Sequence, residues 1–259
     1  MRIMTYNIWG DYFGNLVSTR EHNHLEIFKR YNPDILGVQE VTDTWYKSTA
    51  FDYLREHYNI LVPDVCGLFN YTPLIIKKDR FTVHEFGTEQ LKDSPCRSKR
   101  MTFAALTDNE NRKELAVINT HFWWMSGKEH DEVRVNNAKQ LSAKMKHLCE
   151  KYGCPVFSFG DFNCNISTDA FRVFDNENIQ LLNDVASIPS EVCSHHGDPV
   201  INPDGSCKGK KTDLDKTCSI DHIVAYGDGY NAQKYFVVQD TEALDGSDHS
   251  PVFCDLELL

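Results

Sequence analysis

The stretch PVFSFGDFNCN (155–165) begins as an apolar strand and then presents Asp161, Asn163 and Asn165 at alternate positions. The same transition recurs along the chain. TYNIW brings a strand to Asn7, GVQEV ends one on Gln39 and Glu40, and NTHF carries Asn119, Thr120 and His121. SIDH sets Asp221 and His222 within a strand, and GSDHSP sets Asp248 and His249 just before the last one. One such residue reads as a satisfied core polar group. A buried carboxylate is costly unless it is paired or holds a cation, so a whole set at strand ends points to convergence on one pocket. Glu40, Asp161, Asp221 and Asp248 are hard oxygen donors, and with Asn7 they suit Mg²⁺ or Mn²⁺; zinc takes more His and Cys. His121 and His249 titrate near neutrality and can act as general acid or base. Asp221 is the candidate partner that orients His249, and Asn163 can donate to an attacking water or a phosphoryl oxygen. A carboxylate-held cation, an oriented water and a His–Asp pair together predict metal-assisted hydrolysis of a phosphate ester.

Strands must deliver these groups. Strand-like runs are RIMTYNIW (2–9), DILGVQEV (34–41), PLIIKK (73–78), MTFAALTD (101–108), ELAVINTHF (114–122), PVFSFGDF (155–162), SIDHIVAY (219–226), YFVVQD (235–240) and SPVFCDLEL (250–258). Several are nearly continuous in apolar residues, as in strands covered on both faces. Helices are predicted over 19–31, 44–58 and 129–151, with a fourth starting at Ser167 or Thr168. In the longest, Val135, Ala138, Leu141, Met145 and Leu148 recur at three and four and form a core stripe. Interleaved strands and helices predict an α/β protein in stacked layers. The stretch 187–217 has turn residues throughout and no period, so it reads as a long loop of functional or mobile kind. No linker is visible, and the 259 residues are read as one domain.

The formal net charge is −11, with no basic footprint of the kind that phosphate neutralisation gives nucleic-acid binders. The run KGKK (208–211) reads as a solvated loop. No basic and apolar leader follows Met1, and no apolar run reaches the length of a membrane span. The nine cysteines are scattered without a framework, and with no export signal they read as reduced thiols of a cytoplasmic protein. Cys193, His195, His196, Cys207 and Cys218 in or beside the long loop match no standard zinc-finger spacing. Nothing in the sequence sets an oligomeric state.

TYNIW, GVQEV, NTHF, GDFN, SIDHI and SDHSPV, in that order, resemble the endonuclease/exonuclease/phosphatase superfamily, whose fold is that of deoxyribonuclease I. The resemblance spans residues 2 to 256. It implies a four-layer α/β/β/α sandwich, two mixed sheets face to face with helices outside. It implies Asn7 and Glu40 as the metal pair, Glu40 being the principal magnesium ligand, with Asp248 a second residue near the metal. Asp161 and Asn163 match the pair that positions the nucleophilic water, and His249, held by Asp221, the histidine beside the phosphate. His121 matches a histidine that contacts the phosphate or helps the leaving group depart. Arg100 and Arg134 stand where relatives often carry an arginine; each is a candidate phosphate contact, with a surface ion pair as the alternative. Trp123 and Trp124 are expected at the pocket rim, to stack on a substrate group or to anchor a loop.

The motifs also separate branches of the superfamily. His121 argues against abasic-site repair enzymes, and the chain lacks the Trp-Cys-Asp-Arg segment of inositol polyphosphate 5-phosphatases. Neither an export signal nor an aromatic hairpin of sphingomyelinase type is evident. Deadenylases share NTH but are usually longer. The implied place is among the small bacterial-type members, acting on a phosphate ester, with nucleic acid as an alternative substrate and a non-catalytic binding module as a further one.

Overall fold

A computed structural model describes residues 1–11, 14–62, 71–211 and 215–259. Cys66 and part of the long loop therefore lie outside the described residues. In chain order the elements are β1 (Arg2–Asn7), α1 (Glu21–Tyr31), β2 (Ile35–Gln39), α2 (Thr49–His57), β3 (Tyr58–Leu61), β4 (Leu74–Lys77), β5 (Phe81–Gln90), β6 (Arg100–Asp108), β7 (Lys113–His121), α3 (Lys128–Tyr152), β8 (Val156–Asp161), α4 (Asp169–Asn176), β9 (Gln180–Leu181), α5 (Leu182–Val185), β10 (Val200–Ile201), β11 (Cys207–Lys208), β12 (Asp221–Tyr226), β13 (Tyr230–Val237), α6 (Thr241–Gly246) and β14 (Val252–Leu258). No described helix is long and apolar enough to cross a membrane.

Two six-stranded mixed sheets form the body, in the orders β13-β14-β1-β2-β4-β3 and β5-β6-β7-β8-β12-β9. Their facing sides share one apolar core containing Ile3, Ile35, Val117, Phe157, Phe159, Ile223 and Val252. A second cluster seats α3 and α4 on the outer face of the β8 sheet, through Ala138, Leu141, Met145 and Phe171. A third seats α1 and α2 on the other sheet, through Ile27, Phe28, Phe51 and Leu54. The layers are thus helix, sheet, sheet, helix.

Two local differences from the expected elements, and one close strand approach, have physical causes. The helix expected over 44–58 breaks at Ser48, whose hydroxyl caps α2 by accepting the Phe51 N–H at 3.1 Å. The strand β8 runs through Gly160 to Asp161. A Cβ at Gly160 would meet the Thr120 carbonyl oxygen on β7 at 1.9 Å, so glycine permits the close strand approach. The strand β5 has no apolar run to announce it; it is an edge strand with charged and polar residues facing solvent.

Side-chain alternation explains why the polar residues meet. On β8, Phe157 and Phe159 point between the sheets, so Asp161 does too. The same period places His121 beyond Val117, Asp221 before Ile223 and Asn7 beyond Ile3. Asp161 pairs in register with His121 on one side and Asp221 on the other. His222 points the opposite way, packs on Phe162 and Phe171, and bonds the Cys164 carbonyl through Nε2 at 3.0 Å.

Candidate active site

Beneath the site a polar layer closes the apolar core. Gln39 on one sheet donates to Thr5 Oγ1 at 2.9 Å and, across the gap, to Asn119 Oδ1 at 2.6 Å. Asn119 returns two bonds, to the Val38 and Pro73 carbonyls. One layer further out, Asn7 Nδ2 donates to Asp161 Oδ2 at 3.0 Å, joining the sheets at their functional ends. The Trp9 N–H donates to Asn7 Oδ1 at 3.0 Å and the Gly10 N–H to Glu40 at 3.2 Å. Trp9, Glu40 and Asn163 all hold left-handed backbone, at φ 52°, 60° and 48°. Such conformations cost free energy in non-glycine residues and cluster where a site over-determines them.

His249 Nδ1 lies 2.8 Å from Asp221 Oδ2, which leaves Nε2 facing Asp161 and Asp248, each 3.9 Å away. Asp221 also accepts from the Ser194 hydroxyl at 2.8 Å, and that hydroxyl accepts the Asp221 N–H at 3.0 Å. Ser247 fixes the other end, donating to the Asn7 carbonyl at 2.7 Å and accepting the His249 N–H at 3.1 Å. The Asn163 N–H donates to Asp161 Oδ1 at 2.8 Å, and its side chain donates to the Phe122 carbonyl at 3.2 Å. Asn165 stands apart and caps the turn at Ser167.

Lys99, just before β6, was not among the residues singled out from sequence. It is 4% exposed, and its Nζ lies 2.5 Å from His121 Nε2. As an ammonium, Lys99 donates there. His121 Nε2 is then an acceptor, and its 3.3 Å approach to Asp161 carries no hydrogen bond. Tyr71 stacks on the His121 ring at 5.6 Å. The run SKRM places two cations in succession, and successive side chains of an extended chain point apart. Lys99 lines the cavity, whereas Arg100 Nε donates to Thr88 at 3.1 Å. Arg134 is buried and donates to the Trp123 and Met125 carbonyls at 3.0 and 2.7 Å, so it braces the loop that carries Trp123 and Trp124. Trp123 is buried and donates to His130, while Trp124 is exposed; both line the cavity.

The cavity has a volume of about 1050 Å³. Glu40, Lys99, Asp161, Asn163, Asp248 and His249 form its polar floor, and Trp9, Tyr71, Trp123, Trp124 and Ile201 its walls. Asn7, His121 and Asp221 stand behind that floor, almost wholly buried. Burial works against the His249 charge, but Asp221, Asp248 and Asp161 outweigh it and hold the imidazolium well above its ordinary range. Burial raises the Asp221 and Asp248 carboxyls. At Asp161 burial is overcome by the neighbouring His249, His121 and Lys99, and the carboxyl is held below its usual range. Burial, with Lys99 beside it, lowers His121, and burial pushes Lys99 down to about 8. Carboxyl groups outnumber cations around the floor, and oxygen donors outnumber the imidazoles of His195 and His249. That imbalance fits a divalent cation.

The sequence of residues 4–249 matches the model of the endonuclease/exonuclease/phosphatase family. The chain belongs to that family. Several solved structures show the same fold at low identity. A mannosyl-6-phosphatase of Bacteroides thetaiotaomicron superposes with a TM-score of 0.79 at 19% identity, over 100% of each chain. A family protein of Bacteroides vulgatus gives 0.80 at 22% identity, over 100% of this chain and 98% of that one. The human nocturnin catalytic domain, solved with a bound sulfate, gives 0.74 at 16% identity, over 100% and 94%. No curated protein matches the chain. Family membership makes the cavity floor a candidate for hydrolytic chemistry.

Proposed function

We propose that this protein is a divalent-metal-dependent hydrolase of phosphate esters, acting on diesters in preference to monoesters. The observation that carries the reading is His249, held by Asp221 at 2.8 Å with Nε2 toward Asp161 and Asp248 on a cavity floor shared with Lys99. Mg²⁺, with Mn²⁺ as substitute, would be held by Glu40, Asp248 and Asn7, and when bound it supplies charge neutralisation to the phosphoryl oxygens. Asp161 keeps its negative charge and, with Asn163, orients the water for attack. The His249 imidazolium and the Lys99 ammonium face the phosphoryl group and stabilise the charge that grows on it. His121 stays neutral and fixes the Lys99 ammonium. The Trp9, Tyr71, Trp123 and Trp124 walls, at a volume of about 1050 Å³, leave room for groups on both sides of a phosphodiester.

The nuclease alternative draws on the paired Trp123 and Trp124, which can stack on bases, and is opposed by the net charge of −11. The test is hydrolysis of bis(p-nitrophenyl) phosphate and p-nitrophenyl phosphate with Mg²⁺, Mn²⁺ or EDTA, in wild type and His249→Ala. Metal-dependent cleavage, faster on the diester and reduced about 10²- to 10⁴-fold in the variant, is expected. Equal turnover in EDTA would sink the metal requirement. Metal-dependent cleavage of single- or double-stranded nucleic acid, with no turnover of either small ester, would favour the nuclease.

A further inference from the structure

Cations are scarce around the cavity. Among the described residues that line it, the cationic side chains are Lys99 and His249. His195 lines it too, but burial and the neighbouring His249 lower its ring, so it stands neutral. Other basic residues are turned to different partners. Arg100 Nε donates to Thr88, Arg134 to the Trp123 and Met125 carbonyls, and Lys208 to Asp245 at 3.1 Å. Residues 12–13, 63–70 and 212–214 contain no Lys, Arg or His. Lys99 and His249 both face the transferred phosphoryl group under the phosphoesterase reading, which leaves no cation for a second phosphate.

Asp198 instead adds negative charge at the cavity mouth. It is exposed and lines the cavity together with His195. Its placement is built into the backbone. The Ser250 N–H donates to the Ser194 carbonyl at 2.7 Å and the His196 N–H to the Asp248 carbonyl at 3.0 Å, so the segment leading to Asp198 is tied to the one that carries Asp248 and His249. Pro199 follows directly, is buried, and disfavours helical backbone at Asp198. Beyond it the β10–β11 pair is anchored by the Thr19 hydroxyl, which donates to the Gly205 carbonyl at 2.6 Å. The Asp198 charge reaches the floor: burial chiefly raises the Asp248 carboxyl, and Asp198 adds to that rise. The remaining wall is uncharged, with Trp9, Tyr71, Trp124, Pro199 and Ile201 offering ring faces and apolar surface.

We propose that Asp198 is a specificity-determining residue, and that it restricts the site to phosphodiesters with a single phosphate and uncharged, ring-bearing substituents. A second phosphate would lose water without gaining a cation, and it would meet a carboxylate of like charge. This assignment rests on the phosphoesterase reading.

Two substrates that differ by one phosphate test it: thymidine 5′-(p-nitrophenyl phosphate) and its 3′-phosphorylated form, each with Mg²⁺ or Mn²⁺ and read by p-nitrophenolate release. Wild type is expected to hydrolyse the first with a kcat/KM about 10- to 100-fold above the second. That ratio should shrink as sodium chloride is raised, because charges at an exposed mouth are screened. Asp198→Asn should cut the ratio about 5-fold, and Asp198→Lys should cut it further. In both variants kcat on the first substrate should stay within about twofold of wild type. Calorimetry of thymidine 5′-phosphate and thymidine 3′,5′-bisphosphate with Mg²⁺ reads the same preference without turnover. Equal kcat/KM on the two substrates, equal binding of the two nucleotides, or a ratio unmoved in both variants would overturn the proposal. A chain that cleaves neither ester, yet binds the single phosphate in preference and loses that preference in Asp198→Lys, would overturn the functional reading alone.

Discussion

Under the proposed function Lys99 shares with His249 the positive charge that would face the phosphoryl group, and its burial makes that charge sensitive to pH. Its ammonium is desolvated, so the folded chain releases this proton at about 8 where an exposed lysine holds it to 10.5. The sign follows directly. The folded state binds fewer protons than the unfolded state between those values, so Lys99 makes stability rise with pH across that window. Below it, keeping the cation buried costs stability, a cost set against the chemistry it supplies. Activity moves the other way. As pH rises through about 8 the ammonium is lost, the donor to His121 Nε2 becomes a weaker neutral amine, and turnover should fall. Lys99→Met should lower kcat about 10²- to 10³-fold at pH 7, the scale for one lost electrostatic donor. Lys99→Arg keeps a charge that does not titrate here, so a pH–rate profile of that variant should lose the alkaline limb near 8. An unchanged limb would show that another group sets it.

At the scale of elements, one buried cation holds the pieces that present the floor. Arg20, just before α1, is fully buried, and among the described residues it forms no direct ion pair, although the Asp11 and Asp248 carboxylates are near enough to favour its charge. Its guanidinium donates to the carbonyls of Ile8 and Trp9 after β1, of Asn15, and of Gly246 at the end of α6. Gly246 leads directly to Ser247, Asp248 and His249, so Arg20 ties the Asn7 end of β1 to the segment that carries the histidine. Arg20→Met should cost at least about 3 kcal/mol, since several buried carbonyls lose their donor at once. It should also reduce kcat, read with the thermal midpoint so that folded fractions are compared. Nothing in the sequence marks Arg20, because its partners are backbone oxygens brought together only by the fold. The strand-end residues are different. Asn7, His121 and Asp161 each continue an alternation begun by apolar residues of the same strand, and Asp221 opens one, which makes their common direction readable from the chain. Lys99 and His195 lie outside regular alternation, before β6 and in the long loop, and only the folded structure shows which way they face.

For the whole molecule, the balance of charge at the junction of the two sheets decides what binding does to stability. Glu40, Asp161, Asp221 and Asp248 converge where Asn7 bridges the sheets, against the Lys99 and His249 cations. The chain as a whole, at −11, adds repulsion rather than relief. A divalent cation at Glu40 and Asp248 would offset that excess and lock both sheets at their functional end. The thermal midpoint should therefore rise with Mg²⁺ and fall back on chelation. At a concentration a hundredfold above Kd the gain is about 2.7 kcal/mol, or roughly 5–10 °C for a chain of this size. Sodium chloride at equal ionic strength should give much less, because screening acts weakly on buried groups. Glu40→Gln removes one donor and should lose most of the Mg²⁺ shift while keeping the salt response. An equal shift in that variant would place the cation away from Glu40, and an equal shift with sodium chloride would reduce the effect to screening of the surface charge.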